Sequence, residues 1–236
     1  MTMGKLLLAG VSLSIMSLNS LAAGKQGEVP EIEILRVHTP PVIDGKLDDS
    51  AWYGAVYYKS CFAGYFSDAY TDIAFWQPVT YAVYDDDNLY IGFKEYFPYG
   101  TTLCGKSSSE KDFYWNDDLA QVYVEPKLDL NALQFAVNAD GVVTDKDIKG
   151  AAIKGEGFWT AEMAIPWRKL HVGSVKIGDQ MGFNIIVYQS FKGSDGWLSW
   201  MPLLGAGMTP ERFGYIRLGK VRYIPSTPKN ISDDNF

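Results

Sequence analysis

Only two cysteines, Cys61 and Cys104, and two histidines, His38 and His171, occur in the 236-residue chain. No Cys-x-x-Cys spacing is present and the histidines lie far apart in sequence. That argues against a thiolate zinc site and leaves both histidines structural or surface residues. A Gly-x-Ser-x-Gly elbow and a Walker loop are also missing, so a serine hydrolase or P-loop enzyme has no residues to stand on. Basic residues are outnumbered, 21 Lys and Arg against 28 Asp and Glu. An acidic surface without a basic, aromatic-studded stripe repels phosphate, so nucleic acid is not an expected partner. Long apolar runs are lacking too: the run from Leu6 to Leu18 is about 13 residues, where a bilayer-spanning helix needs roughly 20.

That short run fits export instead. Lys5 supplies a basic n-region, Leu6 to Leu18 an apolar centre, and Asn19-Ser20-Leu21-Ala22 the small residues that a signal peptidase reads, with cleavage expected after Ala22. No cysteine follows closely, so neither a lipoprotein anchor nor any other stable membrane anchor is expected. The mature protein is expected in the periplasm or outside the cell. Loss of Lys5 with the signal takes the formal net charge from −7 to −8. In an oxidising compartment Cys61 and Cys104 are expected to pair as a disulfide, closing a loop of about 43 residues and contributing about 4 kcal/mol if geometry permits. Two buried free thiols are the alternative.

Period-2 alternation recurs along the chain and helical periodicity does not. Glu31 to His38, Val79 to Tyr84, Asn88 to Tyr96, Leu119 to Glu125, Leu133 to Asn138, Gly141 to Asp145, Phe158 to Ile165, Gln180 to Phe191, Gly196 to Met201 and Arg212 to Leu218 read as strands. Asp85-Asp86-Asp87 and Asn138-Ala139-Asp140-Gly141 read as tight turns, because Asp, Asn and Gly tolerate turn conformations. Helical pieces are brief: a turn at Asp48 to Trp52 and another opened by Pro166 over Trp167-Arg168-Lys169-Leu170. The expected fold is all-β, an antiparallel β-sandwich of jelly-roll or immunoglobulin-like type with one or two short helical turns. Its expected layout is a signal peptide at 1–22, a lead-in strand at 23–39, one domain at 40–219, and a C-terminal strand and polar tail at 220–236.

Aromatic residues make up 14% of the chain, more than a core alone readily explains. Two tryptophan-bearing stretches stand out, Tyr114-Trp115-Asn116-Asp117-Asp118 leading into Leu119 to Glu125, and Trp197-Leu198-Ser199-Trp200-Met201-Pro202. Exposed indoles facing one another would clamp a flat, weakly polar ligand such as a sugar ring. Gln121, Gln134 and Asn138 would supply planar hydrogen-bonding groups for its hydroxyls. By alternation Gln121, Tyr123 and Glu125 share one strand face, and Gln134, Ala136 and Asn138 share one face of the next. A solvated outer face is the competing reading. Trp52, Trp159 and Trp167 occupy apolar-periodic or helix-contact positions and are assigned to the core.

The order Pro41-Val42-Ile43-Asp44-Gly45-Lys46-Leu47-Asp48, Tyr84 to Tyr90, Trp115 to Glu125, Phe135 to Gly141, Trp159 to Trp167, Gly182-Phe183-Asn184 and Arg212-Phe213-Gly214 resembles carbohydrate-binding modules of family 9, within the DOMON-like superfamily. The resemblance covers about residues 40 to 219. It implies a non-catalytic β-sandwich that holds oligo- or polysaccharide between two tryptophans, here Trp115 and Trp200, frequently with structural calcium but with no cofactor required for binding. Weak calcium candidates are Asp44, Asp117 and Asp118, none in an EF-hand spacing. Two positions depart from the family pattern: Gln121 replaces a glutamate and Ala136 an arginine. A role in polysaccharide capture and breakdown, beside a separate glycoside hydrolase, would follow.

Three alternatives stay open. A glycosidase needs two carboxylates about 5 to 9.5 Å apart, for which Asp118 and Glu162 are the nominees. A haem-binding relative would draw an axial ligand from Met163, Met201 or Met208. A ligand-free interaction domain would explain the missing charged pair.

Overall fold

The computed structural model describes residues 29–58, 63–64, 73–194, 196–203 and 209–221. The expected signal peptide, Cys61, Met208 and the polar tail lie outside them. Twelve strands are present among the described residues: β1 (Glu31–Arg36), β2 (Val56–Tyr58), β3 (Ala63–Gly64), β4 (Val79–Tyr84), β5 (Asn88–Tyr96), β6 (Leu119–Glu125), β7 (Leu133–Asn138), β8 (Lys149–Gly155), β9 (Phe158–Pro166), β10 (Gln180–Tyr188), β11 (Trp197–Ser199) and β12 (Gly214–Val221). The only helical pieces described are 3-10 turns. Two are the expected ones, at Ser50–Gly54 and Trp167–Leu170, and two more stand at Glu110–Asp112 and Pro210–Arg212. No helix among the described residues is long and apolar enough to cross a membrane.

The strands form one hydrogen-bonded sheet in the order β3-β11-β10-β12-β1-β4-β5-β9-β8, with β2 added on β4 and with β6 and then β7 on the far side of β10. The sheet rolls until it is nearly closed. Its two ends approach where β7 meets β8: Val143, bridged to Val137, fills the space that a side chain at Gly150 would need, lying 2.2 Å from where that Cβ would stand. Only glycine permits that contact. The pairing is not wholly antiparallel, since β1 runs parallel to both β12 and β4.

Alternation carries the packing. Leu89, Ile91 and Phe93 of β5, Ala120, Val122 and Val124 of β6, and Phe183, Ile185 and Val187 of β10 point into one buried cluster with Trp159 and Trp167. Trp52 fills a second cluster outside the sheet with Tyr90 and Val83, so all three tryptophans assigned to the core are buried. The turn at Asp85 forms as expected, its Oδ1 accepting the backbone N–H groups of Asp87 and Asn88 at 2.8 Å. Gly141 to Asp145 does not become a strand; it contributes only the single bridge at Val143. β9 pairs with β5 on one side and, on the other, with β8, Lys-Gly-Ala-Ala-Ile-Lys-Gly, whose glycines, alanines and lysines carry little strand propensity and hide it from pattern reading.

One interior residue breaks the apolar pattern. Glu95, on the core side of β5, accepts a hydrogen bond from Trp159 Nε1 at 2.6 Å on Oε2, while Oε1 is buried without a hydrogen-bond partner, as is Thr80 Oγ1 on the neighbouring strand. Gln189 lies alongside, its amide donating to the Trp76 carbonyl at 3.0 Å. Burial pushes the Glu95 carboxyl up to about 8; the Trp159 hydrogen bond works against the rise, the Asp118 charge adds to it, and Gln189, like Trp159, opposes it. The folded protein therefore holds a proton that the unfolded chain releases near its ordinary value of about 4.3. Stability falls as pH rises from there to about 8 and then levels off. Glu95→Gln, which keeps an acceptor for Trp159, is expected to remove this loss. In urea unfolding it should match the parent near pH 4 and exceed it at pH 9 by on the order of 5 kcal/mol.

Candidate functional site

Strands β7, β6, β10 and β11 lie side by side, and residues that point away from the main core form a second face. Their register sets three rows across it. Asn138, Leu119, Tyr188 and Trp197 share the first; Ala136, Gln121, Ile186 and Ser199 the second; Gln134, Tyr123 and Asn184 the third. The expected grouping of Gln121, Tyr123, Gln134 and Asn138 on one face is therefore present. Gln134 Nε2 donates to Gln121 Oε1 at 2.5 Å and to the Tyr123 hydroxyl at 3.0 Å. Leu203 and Phe213 pack over this face, with the Phe213 ring 5.8 Å from that of Tyr123. Gln121 is consequently buried while Gln134 stays half-buried. Nothing on this face carries a charge in the three rows: Gln121 and Ala136, which face one another across β6 and β7, occupy the positions where the resemblance expects a Glu and an Arg.

Trp200 departs from the expected exposed position. It is 3% exposed and sits in the main core, 6.3 Å from the Phe183 ring. A side chain at Gly214 would stand only 2.4 Å from its ring, so the indole nests against bare backbone. The cause is period 2: Leu198 and Trp200 point inward together, which leaves Trp197 on the Gln121 face. That indole is half-buried and meets the Tyr188 ring at 4.7 Å. Trp197 is the residue that sequence reading passed over, although the apolar Leu198 two places before Trp200 signalled the inward face. Trp115 stands as expected, 40% exposed in the loop before β6 and packed edge-on against Phe113 at 5.0 Å. Because Leu119, Tyr188 and Trp197 share a row, this loop emerges at the end of the sheet where the Tyr188–Trp197 pair lies.

Asp117 and Asp118 hold that loop in place. Asp117 accepts the backbone N–H groups of Lys106 (2.8 Å) and Ser107 (3.0 Å), the Ser107 hydroxyl (2.6 Å) and the Asn138 amide (2.9 Å). Asn138 in turn accepts from the N–H groups of Asp140 and Val142, so it is a buried fastener and not a sugar-facing group. Asp118 accepts from the backbone of Cys104 (2.6 Å) and from the backbone (2.8 Å) and hydroxyl (2.5 Å) of Ser190. Among the described residues Cys104 has no disulfide partner, and its Sγ reaches Asp117 Oδ1 at 3.5 Å; Cys61, its expected partner, lies outside them. Burial and the adjacent Asp117 raise the pKa of the Cys104 thiol.

Asp44 is spent differently, paired with Lys46 Nζ at 2.6 Å. Its N–H and that of Gly45 donate to Glu162 Oε2, and Trp52 Nε1 donates to Glu162 Oε1 at 2.8 Å. Glu162 thus ties the Asp44–Trp52 loop to β9. Among the described residues no three His, Cys, Asp or Glu side chains come together as a metal site, and Asp44, Asp117 and Asp118 do not converge as calcium ligands. The two nominated glycosidase carboxylates, Asp118 and Glu162, are both buried and engaged by loop backbone, and Met163 is packed in the core.

Residues 43–221 match the family model described as carbohydrate family 9 binding domain-like. No curated protein matches the chain. Among solved structures, a family 9 carbohydrate-binding module from Caldicellulosiruptor kristjanssonii in complex with cellotriose is similar at 17% identity and a TM-score of 0.63, over 84% of this chain and 100% of that one. A module of the same family and organism in complex with glucose is similar at 18% identity and a TM-score of 0.63, over 83% of this chain and 100% of that one. At these identities the likeness is one of fold.

The Asp117 network yields a stability prediction. Burial opposes ionisation of this carboxyl, but the Ser107 hydroxyl, the Lys106 and Ser107 amides and Asn138 outweigh it and hold its pKa below the ordinary value. A depressed folded-state pKa contributes stability above the unfolded value and loses it as pH falls through the folded one. Asp117→Ala is expected to lower the unfolding free energy by about 3 kcal/mol at pH 7 by orphaning buried donors. The gap to the parent protein should begin to close below about pH 4 in an acid titration of urea unfolding.

Proposed function

We propose, on the premise that this chain belongs to the carbohydrate family 9 binding domain-like proteins, that it is a non-catalytic module holding a saccharide at the sheet end marked by Trp115, Tyr188 and Trp197. The observation that carries this reading is an exposed indole, Trp115, on the loop that leaves the same end of the sheet as the half-buried indole of Trp197, with a partly solvent-open neutral amide, Gln134, two rows farther along the same face. A pyranose has C–H faces that pack on an aromatic ring and hydroxyls that match planar amide donors and acceptors. Trp115 serves as the open platform and Trp197 as its counterpart, in place of Trp200. Relatives of the same fold are seen with glucose and cellotriose, and a neutral gluco-oligosaccharide suits a face built from amides rather than from a charged pair. We read the rolled sheet as two layers of a sandwich joined at β10 and β12. Export through the signal segment and a role beside a separate glycoside hydrolase in polysaccharide breakdown complete the reading.

Calorimetric titration of the mature protein with glucose and cellotriose tests it. Trp115→Ala is expected to weaken binding by about tenfold or more, and Trp197→Ala by a similar factor, a loss of about 1.4 kcal/mol each. Trp200→Ala is expected instead to destabilise the fold by about 3 to 5 kcal/mol, as removal of a core tryptophan does. A folded parent protein that releases no heat with either sugar would favour the ligand-free interaction domain, to which the closed Gln121–Gln134 pair under Phe213 also lends itself.

A further inference from the structure

A second cleft of about 430 Å³ opens between the segment that follows β5 and the turn joining β8 to β9. Its walls are fixed by backbone. The Phe97 N–H donates to the Gly157 carbonyl at 2.9 Å and the Thr101 N–H to the Pro98 carbonyl at 3.1 Å. The second bond closes a turn whose third residue, Gly100, has φ 79°, a conformation that suits glycine. Phe97 beneath is buried and meets the Phe191 ring at 6.4 Å, so the floor is part of the packed core. Tyr99 projects from the turn with 82% of its surface exposed, the highest value among the exposed large apolar and aromatic residues described.

The groups around Tyr99 are polar and largely unspent. Thr101, Thr102, Lys154 and Glu156 line the cleft with it. The Glu156 side chain is exposed, with no ion pair among the described residues, and Lys154 uses one of its three donors on Asp140. An open aromatic face, a carboxylate that can accept two vicinal hydroxyls, an ammonium donor and two hydroxyls match the surface of a neutral sugar ring. Glu156, together with the protein's net negative charge, disfavours an acidic sugar.

The cleft also shares a wall with the site around Trp115. Leu103, on its lining, precedes Cys104, whose N–H is tied to Asp118. Gly105 packs against the carboxylate of Asp140, the partner of Lys154. Residues 104 to 107 therefore run from the cleft to the base of the Trp115 loop, where Lys106 Nζ lies 4.6 Å from the Tyr114 ring centroid. We infer that the Tyr99 cleft is a second subsite, which takes further rings of the saccharide held at Trp115 and makes the protein selective for chains over single sugars. This rests on the function proposed above.

Titration of the mature protein with glucose and cellotriose, beside Tyr99→Ala and Glu156→Gln, separates the two ideas. The parent protein is expected to bind cellotriose about tenfold more tightly than glucose. Tyr99→Ala should abolish that advantage while changing glucose affinity less than about twofold, and Glu156→Gln should reduce the advantage in part. Tyr99 is exposed, so an unchanged thermal melt verifies the fold of its variant. Equal affinities for the two sugars, or an advantage that survives Tyr99→Ala, would overturn the second subsite and leave the Trp115 site standing. Failure of both sugars to bind the parent protein would overturn both.

Discussion

Buried carboxylates that accept backbone N–H groups are the interaction on which the rest of this structure depends. A rolled sheet presents its core residues through short strands, but long segments must cross its ends, and their amide groups need acceptors that the sheet does not supply. Glu162 satisfies Asp44 and Gly45, Asp117 satisfies Lys106 and Ser107, and Asp118 satisfies Cys104 and Ser190. Each charge is buried yet surrounded by donors, the condition under which an ionised group is tolerated inside a protein. These residues fasten the loops to the sheet through hydrogen bonds. The aromatic loop at Trp115 is positioned by the last two of them.

The same economy explains the character of the candidate site. Gln121 and Gln134 satisfy one another, so the face they occupy stays neutral and needs no counter-charge when Leu203 and Phe213 cover it. A charged pair there would be costly to cover unless every lone pair and proton found a partner. On the proposed reading, binding falls at the rim, where Trp115, Trp197 and, farther along, Tyr99 meet solvent. Recognition there would rely on ring faces and on a few amide and hydroxyl groups, and so would read the shape of a sugar more than its charge.

Much of this was legible in the sequence, and the failures have physical reasons. The strands Val79–Tyr84, Asn88–Tyr96, Leu119–Glu125 and Leu133–Asn138 were readable because each alternates over its whole length. Lys149–Gly155 was not, because a strand whose glycines exist to let Val143 and the Phe158 ring approach has no alternation to read. Trp115 was legible as an exposed loop residue from its polar neighbours, whereas Trp200, read within the Gly196 to Met201 strand, was turned outward only by the resemblance, against the inward alternation that Leu198 signalled. Its burial depends on Gly214, distant in sequence, leaving a space that no local pattern announces. Asn138 and Asp117 looked like ligand groups for a related reason: hydrogen-bonding capacity is visible in a sequence, but the partner that consumes it is not.

The parallel strand β1 sits between β12 and β4, and so the beginning and the end of the described chain are neighbours in one sheet. Glu31 receives a two-pronged hydrogen bond from Arg217 across that junction. Pairing over so great a sequence separation is slow to form, because the loop-closure entropy is lost before the contacts that offset it are made. The consequence concerns timing. A chain emerging N-terminus first presents β1 with one flank waiting for β12, so that junction cannot lock until β12 has followed. Until then the β1 edge stays open, whatever the strands between have already paired.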